Sequence, residues 1–162
     1  RGFTPPFLYY NKYITNKGSL MTVAAPISEK VNLLLSALDE DFKQSSRQHH
    51  LRNLSDYSIE RLKAIDEGTA NLNRFVTSEG RKYIKIIMQE YHEYNEYHTP
   101  KEKVGYRDGS VHAFVDKKTG ELYKADGWQK PAKYVRYNLM DENSLNECLG
   151  RLDWAGGYLY MR

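Results

Sequence analysis

Basic and aromatic residues alternate along one stretch of the chain, between positions 124 and 137. The seven residues concerned are Lys124, Trp128, Lys130, Lys133, Tyr134, Arg136 and Tyr137. A single-stranded nucleic acid needs both kinds of side chain, because cations contact its phosphates and flat rings stack on its bases. We therefore predict that these seven residues form a nucleic-acid-binding site.

The same stretch also allows a structural interpretation, in which its residues hold the fold together. Trp128 would then pack beneath a neighbouring hairpin, and Arg136 would donate to buried carbonyl groups. The two interpretations predict different surroundings for the cations. Binding requires the cations to share one exposed face with the rings, whereas the structural interpretation pairs them with acidic residues, namely Glu121, Asp126 and Asp141.

Positive charge is concentrated in one part of the chain. The formal net charge is +3, but residues 81–136 carry 12 Lys and Arg against 8 Asp and Glu. Residues 21–80 and 137–162 are each acidic by two charges. This asymmetry indicates an anionic partner for the basic part, and a solvated surface with chance clustering explains it equally well.

Cysteine content and hydropathy narrow the class of protein. The only cysteine, Cys148, allows no internal disulfide and is predicted to be a buried thiol on a helix. No apolar run approaches the roughly 20 residues that span a bilayer, and no signal peptide is visible. These features predict a soluble protein of the cytoplasm without a membrane partner.

Motifs for catalysis and cofactor binding are absent from the sequence. It has no phosphate-binding glycine loop, no nucleophile elbow and no HxxxH or CxxC spacing. His92 and His98 are interpreted as solvated loop residues, and His112 is expected on the outer surface of a sheet. We therefore predict a non-catalytic protein with no metal site and no cofactor.

Two amphipathic helices are predicted before residue 80. The first begins at Ser28 and carries an apolar stripe over about four turns, until the segment SSRQHHLRN breaks the pattern. The second is capped by Ser55 or Ser58 and continues to Phe75, with Gly68 weakening its middle. Because a short polar link joins them, they are predicted to form an antiparallel αα-hairpin.

The rest of the chain is predicted to form a sheet and one more helix. Residues 82–88 are typical of a strand, residues 99–109 of a flexible loop, and residues 110–125 of a hairpin closed at Gly120. Asp141 is predicted to cap a helix that includes Cys148, and residues 158–161 to form a last strand. The predicted fold class is α+β: an N-terminal αα-hairpin, a small antiparallel β-sheet and a C-terminal helix.

Three segments are predicted along the chain. Residues 1–20 begin with Arg1 and end just before Met21, and we interpret them as an added or fused extension or as an internal piece of a trimmed chain. Residues 21–80 form the helical hairpin, and residues 81–162 form the sheet with its helix. The last two segments are expected to make one domain.

The stretch SVHAFVDKKTGELYKADGWQKPAKYVRYNL resembles a run in a group of small, largely uncharacterised bacteriophage proteins of the cyanophage-like kind. The shared pattern is a hairpin SVHxFVDxxTG followed by Lys, Trp, Pro-Ala-Lys, Arg and Asn, matched here from Ser110 to Asn138. The resemblance implies a viral protein of the host-cell cytoplasm. It also implies a fold similar to PUR-type single-stranded nucleic-acid-binding domains, from which the helical hairpin departs.

Two functions follow from these observations. The first is non-catalytic binding of single-stranded DNA or RNA through the seven basic and aromatic residues. The alternative is a phage-encoded interaction factor that binds a host or phage protein. The acidic helical hairpin and the tyrosines of residues 91–97 favour this alternative, since tyrosine-rich surfaces suit protein recognition.

Overall fold

The computed structural model describes residues 26–161, so the predicted extension at residues 1–20 lies outside the described residues. The helices are α1 (Ile27–Arg52), α2 (Asp56–Glu67) and α3 (Glu142–Arg151). The strands are β1 (Arg74–Glu79), β2 (Tyr83–His92), β3 (Gly105–Asp116), β4 (Glu121–Lys124) and β5 (Tyr137–Asn138). The α+β class predicted from the sequence is confirmed.

The five strands form one antiparallel sheet whose spatial order follows the chain, β1-β2-β3-β4-β5. The predicted strand at residues 82–88 is the first half of β2, and the predicted hairpin is β3 and β4. Gly120 closes that hairpin at a φ of 76°, a conformation that glycine adopts without a steric penalty. Strands β2 and β3 are much longer than the others, so their paired ends project beyond the rest of the sheet.

The hydrophobic core lies between one face of the sheet and the helices α1 and α3. Leu34 and Leu38 of α1 and Leu145 and Leu149 of α3 are fully buried in it. Ala113 and Val115 of β3 belong to the same core, so Phe114 between them faces the opposite side of the sheet. There Phe114 contacts the ring of Tyr83 at a centroid distance of 5.8 Å.

Helix α1 differs from the prediction at both ends. It follows Pro26, whose carbonyl accepts from the Glu29 and Lys30 amides, and Ser28 is not its cap. It also continues through SSRQHHLR to Arg52. The buried residues of α1 all lie in its first half, so the polar second half needs no apolar stripe. Although α1 has 26 residues, no helix within residues 26–161 is long and apolar enough to cross a bilayer.

Helix α2 is shorter than predicted. Ser55 is its cap, as expected, and its hydroxyl accepts from the Ser58 amide at 3.1 Å. The helix stops at Gly68, whose φ of 74° is the left-handed conformation that ends helices. The apolar residue Phe75 therefore lies on β1, a strand that the sequence analysis missed.

Two further assignments in the second half of the chain are wrong. Strand β3 begins at Gly105, within the predicted loop, because Tyr106 pairs with Tyr91 across the extended hairpin. Residues 158–161 are not a strand: Gly157–Leu159 form a 3-10 turn in which Tyr158 and Leu159 are both buried. A strand with one buried face would alternate their exposure.

Candidate nucleic-acid interface

Residues 126–136, here called the arm, leave the end of β4 and run back beside it. The Ala132 amide donates to the Lys124 carbonyl at 2.7 Å, and the Arg136 amide donates to the Leu122 carbonyl at 2.8 Å. At the far end, the Asp126 amide donates to the Lys130 carbonyl at 3.0 Å and closes a tight turn. Trp128 lies at the tip of this turn.

Four of the seven predicted residues are exposed along the arm. Trp128 is 41% exposed and Tyr134 is 68% exposed, so Trp128 does not pack beneath the hairpin. Lys133 is exposed and forms no ion pair within residues 26–161. Lys130 pairs with Asp126 at 3.4 Å, but such an exposed pair contributes little and exchanges readily for a phosphate. These four side chains are free to contact a ligand.

Arg136 has a structural position, which fits the structural interpretation of the sequence and not the binding prediction. Its Nε donates to the Leu159 carbonyl, and its Nη1 donates to the carbonyls of Lys133 and Tyr134, all at 2.6 Å. A guanidinium group presents a rigid fork of five donors, which suits several fixed acceptors at once. Because Nε and Nη1 are engaged with backbone carbonyls, the first role of Arg136 is to hold the structure. It joins the arm to residues 153–160, here called the C-terminal turn.

Tyr137 is also structural. Its ring is only 7% exposed and lies in the hydrophobic core, so it cannot stack on a base. Its hydroxyl donates to the Tyr158 carbonyl at 3.1 Å, and burial raises the pKa of this phenol. Strand alternation explains the position, since Tyr137 pairs with Leu122 on the core side of the sheet.

Lys124 lies beside a ring that the sequence analysis did not select. Its Nζ is 4.8 Å from the centroid of Tyr160, and it also donates to the Ala125 carbonyl at 3.2 Å. Tyr160 is 64% exposed, so its free face remains open to a second flat group. The exposed cations and rings, together with the half-buried Lys124, are called the arm surface: Lys124, Trp128, Lys130, Lys133, Tyr134 and Tyr160.

The sequence predicted His112 on the outer surface of the sheet, but the structure places it elsewhere. Ala113 pairs with Ile86 and Val111 pairs with Ile87, which leaves His112 as the extra residue of a β-bulge. A bulge interrupts the alternation of side chains, so His112 joins Ala113 on the core side. Its Nε2 is 2.8 Å from the Tyr158 hydroxyl. Burial lowers the pKa of the imidazole to about 4, against an opposing effect of Asp153.

Neither a cluster of metal ligands nor an activated thiol is found among the residues that the structure describes. No three His, Cys, Asp or Glu side chains within residues 26–161 are grouped to hold a metal ion. Burial raises the pKa of the Cys148 thiol, which keeps it protonated and a poor nucleophile. The exposed groups on the arm surface are instead suited to reversible contacts with phosphates and flat rings.

A family profile described as a family of unknown function, DUF7717, matches residues 10–161. The chain belongs to the DUF7717 family. No curated protein and no solved structure matches the chain. The DUF7717 match extends into residues 1–20 but carries no statement about their origin, so the predicted extension and the resemblance to phage proteins stay predictions.

For this DUF7717 member, the sequence contains a signal for the position of Tyr160 but none for the position of His112. Tyr160 follows Gly156 and Gly157, a pair that is typical of a turn and argues against the predicted strand. No local signal identifies the bulge at His112, because the alternation of residues 110–116 looks regular in the sequence.

Proposed function

We propose that this protein binds single-stranded nucleic acid without catalysis, through the arm surface, as a phage protein in the cytoplasm of the host cell. One observation carries the proposal: three exposed rings, Trp128, Tyr134 and Tyr160, lie close to cations. Trp128 and Tyr134 share the arm with the exposed Lys130 and Lys133, and Tyr160 of the C-terminal turn lies 4.8 Å from the Nζ of Lys124. The arm and the C-terminal turn are joined by the hydrogen bond between Arg136 and Leu159. The surface is therefore held in place before a ligand arrives, which reduces the entropy lost on binding.

Exposed rings favour a single strand over a duplex. Bases in a duplex are already stacked and paired, whereas unpaired bases can stack on protein rings at about 1–3 kcal/mol each. Lys130 and Lys133 add phosphate contacts, which make binding weaken as salt concentration rises. None of these contacts reads a base edge, so the arm surface is expected to bind with little sequence preference.

The test is fluorescence anisotropy of the full chain titrated into labelled single-stranded DNA at two salt concentrations. Replacing Trp128 and Tyr134 together by Ala should lower affinity by about 10-fold or more, because two stacking rings are lost. Replacing Lys130 and Lys133 together by Ala should reduce the salt slope by about 1–2, because two phosphate contacts are lost.

The chain supplies a matched control for the ring substitutions. Tyr94 and Tyr97 are 55% and 81% exposed, but they lie at the tip of the β2–β3 hairpin and not on the arm. Replacing both by Ala should leave DNA binding unchanged. The proposal fails if the protein binds no single strand even at low salt, or if the control pair weakens binding as much as the arm pair.

The hairpin tip favours a second candidate function, recognition of a protein partner. Asn95 orders the tip, since its side-chain oxygen accepts from the amides of Tyr97 and His98 at 3.0 and 3.2 Å. Ordered, exposed tyrosines are typical of protein interfaces. This candidate gains if the Tyr94 and Tyr97 substitutions, and not the arm substitutions, release a protein that co-purifies with the chain.

A further inference from the structure

A cleft of about 280 Å³ lies next to the arm surface, between the end of β4, the bulge of β3 and the C-terminal turn. Strand β4 ends at Lys124, so β3 continues without a neighbour on this side and leaves the space open. We call it the His112 cleft. Its main lining residues are Ser110, His112, Lys124, Trp154, Gly156 and Tyr160.

One wall of the His112 cleft is rigid and aromatic. The Trp154 amide donates to Asp41 of α1 at 2.8 Å, and its indole meets Phe42 edge to face at 4.9 Å. These two contacts fix Trp154, which is one of the lining residues of the cleft. Leu159, which is 1% exposed, adds an apolar surface to the lining of the cleft.

A second border of the cleft combines a ring with a charge. Tyr160 and Lys124 both line the space, and the Lys124 ammonium group lies 4.8 Å from the Tyr160 ring. No carboxylate pairs with Lys124 among residues 26–161. A ligand between these walls therefore meets aromatic surface and one cation that is available to an anionic group.

The interior of the cleft carries one oriented polar group. Nε2 of His112 is engaged by the Tyr158 hydroxyl, which leaves Nδ1 on the side of Gly156. A Cβ built on Gly156 would lie 3.7 Å from Cε1 of His112, so the glycine keeps this edge of the imidazole uncovered. Because the imidazole is neutral, Nδ1 is suited to a hydrogen bond with a neutral polar edge and not to holding a phosphate.

We propose that the His112 cleft holds one nucleobase of the bound strand, with the base against Trp154 and Tyr160 and its phosphate at Lys124. This inference rests on the proposed function and deepens it, because it gives the strand one fixed position among contacts that otherwise tolerate any sequence. The volume of about 280 Å³ suits a single base, since it lies just below the range of ligand pockets, which are about 300–1,000 Å³. A space that combines aromatic walls, the hydrogen-bonding edge of His112 and the cation of Lys124 matches a base and its phosphate.

The test blocks the cleft without removing any group of the arm surface. Ala155 lines the cleft and is exposed, so Ala155→Phe fills the space without entering the core. The matched control is Asn146→Phe, which adds the same ring at an exposed position of α3 that does not line the cleft. Circular dichroism and thermal unfolding first establish that both variants fold like the original chain.

Two titrations of the full chain give independent readouts. In the first, NMR follows the Trp154 indole and His112 imidazole signals while deoxynucleoside 5′-monophosphates are added, with deoxyribose 5-phosphate as the base-free probe. In the second, anisotropy measures binding of labelled single-stranded DNA. We expect the monophosphates to shift both signals in the original chain and in Asn146→Phe, and not in Ala155→Phe. The sugar phosphate should cause no comparable shift, and Ala155→Phe should weaken DNA binding by about 10-fold, the loss of one well-held base.

The outcomes separate the two proposals. If DNA binds both variants equally and the monophosphates shift nothing, the nucleobase cleft is wrong while the proposed function stands. If deoxyribose 5-phosphate shifts the same signals as strongly, the cleft is an anion site and the base assignment is overturned. If the monophosphates bind as expected but no single strand does, the cleft is supported and the proposed function fails.

Discussion

The basic and aromatic stretch from Trp128 to Tyr137 has two halves, which have similar residues and opposite roles. Trp128, Lys130, Lys133 and Tyr134 are exposed, whereas Arg136 and the following Tyr137 are engaged with the rest of the fold. Both halves combine cations with aromatic rings, so residue type does not separate them. What separates them is the supply of partners: carbonyl groups of the C-terminal turn are within reach of Arg136 and Tyr137. A basic and aromatic pattern therefore identifies a surface only after its structural members are removed.

The two halves should differ most in how much stability the protein loses when a cationic side chain is removed. Arg136→Ala removes hydrogen bonds to three carbonyls and should lower the free energy of unfolding by about 3 kcal/mol, since charged hydrogen bonds contribute roughly 1.5–3 kcal/mol each and are not additive. Lys133→Ala should change it by less than about 0.5 kcal/mol, as is usual at exposed positions. Urea denaturation measures both. Equal effects would mean that Arg136 does not hold the arm.

Acidic pH should lower the free energy of unfolding through His112, which contacts Tyr158 of the C-terminal turn. Its folded pKa of about 4 lies below the ordinary 6.5, so between these values the unfolded chain binds more protons than the folded protein. Stability that is complete above pH 6.5 is therefore lost as pH falls towards 4, by an amount of order 3 kcal/mol. Urea denaturation at pH 7 and pH 4.5 should show a smaller pH effect in His112→Gln than in the original chain. An unchanged pH effect in His112→Gln would contradict the assignment of this pH dependence to His112.

The smallest effects on stability are expected from substitutions of Tyr134 and Tyr137, and these effects should have opposite signs. Tyr137→Phe loses one hydrogen bond to a buried carbonyl and should cost about 1 kcal/mol. Tyr134 has a φ of 70°, which is strained for a residue with a side chain, so Tyr134→Gly should leave stability unchanged or raise it by up to about 1 kcal/mol. Thermal unfolding distinguishes the two signs. Tyr134→Gly should still weaken DNA binding, which would show that the ring serves the ligand and not the fold.

Elements with strong local signals were predicted from the sequence. The β3–β4 hairpin has its glycine at the turn, and α3 has Asp141 as its cap, whose carboxylate accepts from the Ser144 amide at 3.0 Å. These features depend on neighbouring residues alone. The end of α1 was missed because apolar periodicity reports burial, and its polar half is helical without being buried.

The site was only partly predictable, because its structural members depend on distant contacts. The carbonyl of Leu159 lies 23 positions from Arg136, and nothing near Arg136 in the sequence indicates that acceptor. The inward position of His112 likewise depends on a register shift against β2. Exposed members such as Lys133 were easier to predict, since a lysine without an acidic neighbour has little reason to be buried.

The bond between Arg136 and Leu159 also has a consequence for the order of events during synthesis. The arm is translated before the C-terminal turn, and until that turn docks the guanidinium group lacks one of its fixed acceptors. The arm surface is therefore completed late, after β4 and α3 have already been made. A nascent chain that has folded its helices and central strands would carry the right residues and still present no ordered surface for a strand to occupy.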